Sequence, residues 1–219
     1  MRQNISLAEI SDGHLYKAND MVKADCGGCE GCSQCCRGMG SSIILDPYDV
    51  YRLTTGIGKS MQELLATSVE LNVVDGVILP NLKMQGTGEA CAYLDTEGRC
   101  SIHPYRPGIC RLFPLGRHYE NGGLFYFLQT GECAKENRSK VKVSKWIDTP
   151  ELKRNEQFKL QWHDLLSAMT DRVAGEDEGK QREENLLLLR LFYLLPYEGT
   201  TDFYSQFTER MEHWNEQIG

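Results

Sequence analysis

An α+β fold, with a small cysteine-rich module of short strands and loops covered by a C-terminal helical layer, is what three features of this 219-residue sequence predict. All nine cysteines fall between Cys26 and Cys133, so the last 86 residues hold none. Most of the glycines and five of the seven prolines lie in residues 26–145, and such breakers keep elements short. Residues 146–219 carry few breakers and long amphipathic runs, which reads as helix. The expected organisation is therefore an N-terminal arm or helix over residues 1–25, a cysteine-cluster module over 26–145, and a helical region over 146–219 packed on it as one unit.

Taken in order, the first predicted element is a helix opening at Asp46-Pro47. Asp46 can accept from the free amides of the first turn, and a proline at the first helical position lacks only an N–H that has no partner anyway. Ser60-Met61-Gln62-Glu63 has capping-box spacing and starts a second short helix. Leu71–Leu79 is β-like, with Asp75-Gly76 as a hairpin turn. Asp95–Gly98 is a second turn, between Cys91–Leu94 and Cys100–Ile102, and Asn121-Gly122-Gly123 a third, between Leu115–Tyr119 and Leu124–Leu128. Three helices follow at about 149–173, 179–195 and 200–217, the first started by Thr149-Pro150-Glu151. Leu186–Leu195 is apolar nearly all round and reads as a core helix.

Composition narrows the function classes. At 41% apolar residues the chain can bury a core, which excludes wholesale disorder. The net charge of −7 comes without a basic block, against nonspecific nucleic-acid binding. The N-terminus lacks the apolar segment of a secretory signal, and the ten residues of Leu186–Leu195, broken by Arg190, fall short of the ~20 needed to cross a bilayer. The expectation is a cytoplasmic protein acting on neither nucleic acid nor membrane. In a reducing compartment, nine cysteines point to metal or redox chemistry rather than disulfides.

Cys26-x2-Cys29-x2-Cys32-x2-Cys35-Cys36 places five thiols in eleven residues. Two-residue spacers let a looped backbone aim successive thiolates at one iron–sulfur cubane, and zinc uses the same spacer for pairs of ligands. Gly27, Gly28 and Gly31 suit a chain folding tightly over such a centre. Adjacent side chains usually diverge, so Cys35 and Cys36 can serve different centres. Cys91 and Cys100 bracket the Asp95–Gly98 turn and can converge from its two sides. Arg106 and Arg111 flank Cys110, and a cation beside a thiol favours the charged, ligating form. Eight thiols permit two four-ligand sites, or one cluster plus a zinc.

These residues resemble a known family. Cys29-x2-Cys32-x2-Cys35-Cys36, the Cys-x-Tyr-Leu segment at Cys91, Cys-Ser-Ile at Cys100 and Arg-Pro-x2-Cys-Arg-x-Phe-Pro from Arg106 look like the CxxCxxCC cysteine-cluster family of zinc- or iron-chelating proteins. The resemblance implies metal binding by Cys29, Cys32, Cys35, Cys36, Cys91, Cys100, Cys110 and Cys133. Flagellin lysine N-methylase is similar to this family and is associated with an iron–sulfur cluster. A [4Fe–4S] centre with a redox or methyl-transfer role is therefore the expectation, and a zinc-binding structural or accessory protein the alternative. No catalytic residue is assigned. Three positions depart from the pattern: Cys26 lies outside it, as a spare thiol or a substitute ligand; His103 stands where the family often has Tyr, as a donor behind the ligands; and Cys133 precedes Ala134-Lys135 where relatives have Pro-Gly.

Two further features carry less. Thr55-Gly56-Ile57-Gly58-Lys59-Ser60 looks like the end of a phosphate loop, but Leu53 stands where that loop needs glycine and no strand precedes it, so a helix–helix turn is the reading. His14, His118, His163 and His213 have no ligand partner at helical spacing.

Overall fold

The computed structural model describes residues 7–27, 32–135 and 137–218. Its strands pair only in twos, as four antiparallel ribbons: β1 (Met21–Asp25) with β8 (Ser139–Lys142), β2 (Val69–Val74) with β3 (Val77–Leu82), β4 (Met84–Gln85) with β5 (Ala90–Cys91), and β6 (Leu115–Glu120) with β7 (Gly123–Leu128). Around them run α1 (Leu7–Ile10), α2 (Pro47–Ile57), α3 (Met61–Thr67), α4 (Gly108–Leu112), α5 (Val143–Ile147), α6 (Leu152–Val173), α7 (Glu178–Leu189) and α8 (Phe203–Ile218). The architecture is α+β, with short antiparallel pairs in the cysteine-rich region and the long helices at the C-terminal end. Among the described residues no helix is long and apolar enough to cross a membrane.

The local signals behave as their chemistry demands. Asp46 Oδ1 accepts from Asp49 N at 3.0 Å while Asp49 Oδ2 accepts from Asp46 N at 3.2 Å, a closed capping box at the head of α2. Ser60 and Glu63 repeat it at α3. Between them Gly58 ends α2 at φ 72°, so Thr55–Ser60 is the helix–helix turn. Asp75 (φ 49°) and Gly76 (φ 83°) turn β2 into β3 in left-handed conformations, as a two-residue hairpin requires.

Two separate cores result. The larger joins α2, α3 and the β2–β3 hairpin to α6, α7 and α8, with Leu53, Phe158, Met169, Leu188 and Phe192 all but sealed from solvent. Its centre is aromatic: the Phe158 and Phe207 rings meet edge to face at 4.8 Å, and Trp162 meets Phe192 at 5.1 Å. Such pairs contribute about 0.5–1.5 kcal/mol each beyond their burial. Buried Asn185 fastens α7 to the hairpin, accepting from Ile78 N at 2.6 Å and donating to Gly76 O at 3.1 Å. The smaller core joins β1, β6, β7, α4 and α5 through Val22, Ala24, Leu112, Leu115, Tyr126 and Val143.

The structure corrects four expectations. Residues 21–25 are not an arm or helix but β1, paired with residues far along the chain. Thr149 does not cap α6: its hydroxyl donates to Ile147 O at 3.2 Å, closing α5, and α6 begins after Glu151 in a left-handed turn. Cys91 does not itself pair across the Asp95–Gly98 turn with the Cys100 segment. Asp95 Oδ1 accepts from Glu97 N and Arg99 N to close the turn, across which Leu94 bridges Cys100 and Ser101 N donates to Tyr93 O at 2.9 Å, while Cys91 pairs back with Met84. The helix that starts as α7 does not run unbroken to residue 195. It opens into a π-helical turn at Arg190–Leu194, whose end is satisfied by Arg210 Nη1 donating to Leu191 O and Leu195 O at 2.7 and 3.0 Å.

Candidate metal centre

The two cores meet at the cysteines. Ile109 and Cys110 on α4 pack against the larger core, and Leu112 on the same helix belongs to the smaller. Beside this seam lies a cavity of about 240 Å³ whose wall includes Cys35, Cys36, Cys91, Cys100 and Cys110. Apolar side chains from both cores, among them Ile43, Leu82, Ile102 and Leu115, complete it.

Each thiol is positioned by its own local device. Cys35 and Cys36 sit in a single 3-10 turn, Gln34–Cys36, which is tied to β5 by the Arg37–Ala90 bridge and by Gly38 N donating to Glu89 O at 3.0 Å. Cys91 ends β5, and Cys100 follows the Asp95 turn. Cys110 is the middle residue of five-residue α4, whose first amide, Gly108 N, donates to the buried Asp49 Oδ1 at 2.7 Å. A side chain at Gly108 would stand 3.1 Å from Arg117 Nη2, close enough that the guanidinium would have to shift.

The thiols sense one another. Cys36 donates its proton to Cys35, which pulls the Cys35 thiol down to about 6 with help from the Arg106 charge, and pushes Cys36 up. Both thiols stand in the wall of the one cavity. Burial, reinforced by charge on neighbouring cysteines, pushes the Cys91, Cys100 and Cys110 thiols up.

The two arginines flanking Cys110 part company. Arg106 lines the cavity and is the cation acting on Cys35 and Cys100. Arg111 turns into the smaller core's boundary, 6% exposed, with Nη1 donating to Asp148 O at 3.1 Å and its charge facing Asp49. Asp49 itself is pushed up to about 6 by burial, against the pull of the Gly108 amide, Arg117, Arg111 and Arg52. His103 opens the 3-10 turn His103–Tyr105 and lines neither cysteine cavity. Burial and Arg106 hold its pKa down.

A second, smaller cavity of about 20 Å³ adjoins the first, with Cys26, Cys32, Cys35 and Cys133 in its wall. Cys35, Phe113 and Glu132 line both. The structure thus brings together seven of the eight cysteines implied by the motif, in two groups that share Cys35, and adds Cys26; Cys29 lies outside the described residues. Among the described residues, no three Cys, His, Asp or Glu side chains are disposed to hold a single metal ion. Sequence reasoning missed Glu132, whose one signal is its place directly before Cys133.

The sequence of the CxxCxxCC family, described as a "putative zinc- or iron-chelating domain", matches residues 28–137, half of the chain. The chain belongs to this family. Membership supports metal binding through the cysteines, all of which except Cys26 fall within the matched span. No curated protein and no solved structure matches the chain to a significant degree.

Proposed function

We propose that the protein holds an iron–sulfur cluster, [4Fe–4S], in the larger cavity on Cys36, Cys91, Cys100 and Cys110, and that it serves a redox role. The observation that carries this reading is that five thiols share the wall of a cavity of about 240 Å³ that is otherwise largely apolar. A single zinc ion needs four sulfurs about 2.3 Å from one point, whereas a cubane is itself the bulk of the site and takes one thiolate per iron. The donor set fits: all-sulfur ligation is what such clusters use.

Four thiolates around a cluster leave net negative charge in a low-dielectric wall. Arg106 faces that charge and offsets it. The thiols are half-buried, so the cluster would stand near the surface, within reach of an electron donor or acceptor. Binding must also displace the protons that burial keeps on Cys91, Cys100 and Cys110, so loading couples to proton release.

The test is anaerobic purification followed by iron, acid-labile sulfide and zinc analysis with visible spectroscopy. Iron and sulfide in equal amounts with broad visible absorption are expected, and Cys100→Ser should abolish both. Stoichiometric zinc without iron or sulfide sinks the reading in favour of a closed structural zinc site.

A further inference from the structure

We propose that β2 is a docking edge for a second copy of this chain. Two molecules pair their β2 strands antiparallel about a two-fold axis, through Leu71 and Val73, and join their hairpins into one four-stranded sheet. The proposal is independent of the cysteine cavities and of what they hold.

The register of the hairpin fixes which backbone groups face outward. Val74 and Val77 flank the two-residue turn, so Val74 with Val77, Asn72 with Leu79 and Glu70 with Asn81 exchange hydrogen bonds inside the hairpin. Val69, Leu71 and Val73 therefore turn their N–H and C=O away from β3. The opposite edge, on β3, is closed. Ile78 N donates to Asn185 Oδ1 at 2.6 Å, Leu82 N donates to Ile43 O at 3.0 Å, and Pro80, which has no N–H, accepts from Leu45 N at 2.8 Å. On β2, Val69 is 1% exposed and out of reach, whereas Leu71 is 43% and Val73 69% exposed. Among the described residues no hydrogen bond reaches the outward groups of Leu71 and Val73.

Other strand edges in this fold are blocked. β8 exposes Lys140 and Lys142, and β7 is covered by Tyr16, whose N–H and C=O both bond Tyr126. β2 has no lysine, no proline and no shift of register, the devices that keep strand edges apart. Such an edge takes an extended strand, and main-chain hydrogen bonds hold it.

A second β2 satisfies this edge in one register. Leu71 and Val73 are two residues apart, so an axis at Asn72 sets Leu71 opposite Val73 of the second copy, and Val73 opposite its Leu71. That closes four hydrogen bonds without the buried Val69 and gathers four exposed apolar side chains on one face. An axis at Glu70 or Leu71 needs Val69, and the first also sets two carboxylates face to face. An axis at Val73 needs Asp75, which is turned away at φ 49°. With the axis at Asn72, Glu70, the one charge on β2, stands opposite Val74 and meets no like charge. Strands this short make an interface below the ~1,200 Å² of stable complexes, so monomer and dimer exchange with concentration. The net charge of −7 repels like molecules, and salt, by screening it, favours the dimer.

The test is sedimentation velocity on the reduced chain, kept anaerobic so that thiols cannot cross-link the copies. The average mass should rise from one chain towards two between ~10 μM and ~1 mM, the range of a weak complex. Over that range the Leu71 and Val73 amides should gain protection from exchange, while Asn72, already bonded inside the hairpin, should not change. Val73→Pro deletes one outward N–H per copy and spares the hairpin, as Pro80 does on β3. Losing those two hydrogen bonds should weaken dimerisation about tenfold or more. Val73→Lys should weaken it as well by charging the edge, and it keeps the test open if the proline variant does not fold. A chain that stays monomeric throughout the range overturns self-pairing and leaves the edge to a different strand. A dimer that survives both substitutions, dissociates in salt, or forms without protecting Leu71 and Val73 overturns it equally.

Discussion

The aromatic core under α6–α8 and the cysteine cavities beside α4 stand at opposite ends of one physical scale. In the first, Phe192 is 0% and Trp162 5% exposed, and the rings pack edge to face, so apolar burial is the main force holding the helices. In the second, the thiols are half-buried and the elements that carry them are a 3-10 turn, a two-residue strand, a five-residue helix and loops. Elements this short cannot order themselves. One region is held by a large apolar core, while the other leaves half-buried thiols between two cores.

The sharpest way to break this contrast is to empty the aromatic core. Phe192→Ala should cost about 3–5 kcal/mol of global stability in urea denaturation, the usual loss for a buried aromatic. A loss under about 1 kcal/mol would show that the helical layer is not what holds the fold. Treatment with a strong chelator, which removes bound metal, tests the other region. It should remove amide-exchange protection around Cys35, Cys91, Cys110 and Cys133 while leaving α6 and α8 protected, lowering apparent stability by about 3–4 kcal/mol for a metal held at a hundred to a thousand times its Kd. Equal loss of protection in both regions would erase the distinction.

Asp49 links the two regions, sitting on α2 and capping the helix of Cys110. Its carboxyl titrates at about 6, above its ordinary 3.8, so the folded state binds more protons than the unfolded between those values. Stability from this group is therefore full below about 3.8 and is lost as pH rises to about 6. Two pH units bound that loss at about 3 kcal/mol. Asp49→Asn should flatten the pH dependence over this window; denaturation midpoints for the two proteins that stay parallel from pH 4 to pH 7 would refute the assignment. The smallest effect is expected at Ser60. Removing its cap with Ala should cost about 1 kcal/mol and leave metal content unchanged.

What could be read in advance follows the same divide. The capping boxes at Asp46 and Ser60, the turns at Asp75-Gly76 and Asn121-Gly122, and the C-terminal helices were legible because their causes lie within a few residues. Thr149 misled because its hydroxyl closes α5, a helix too short to leave a periodic signal. Arg106 and Arg111 were indistinguishable in sequence. Their opposite roles come from where each stands: Arg106 precedes α4 and lines the cavity, while Arg111 lies within α4 and faces a buried carboxylate.

By itself, then, the sequence determined the α+β class, the local elements, and a cysteine set dense enough to mark a metal-binding family. Only the tertiary structure decided which thiols stand together. Cys26 reaches Cys133 through the pairing of β1 with β8, and Cys110 reaches Cys91 through a helix wedged between two cores. Those contacts join residues far apart in the chain, and their register is set by burial of Val22, Ala24, Leu112 and Leu115 rather than by any spacing between cysteines.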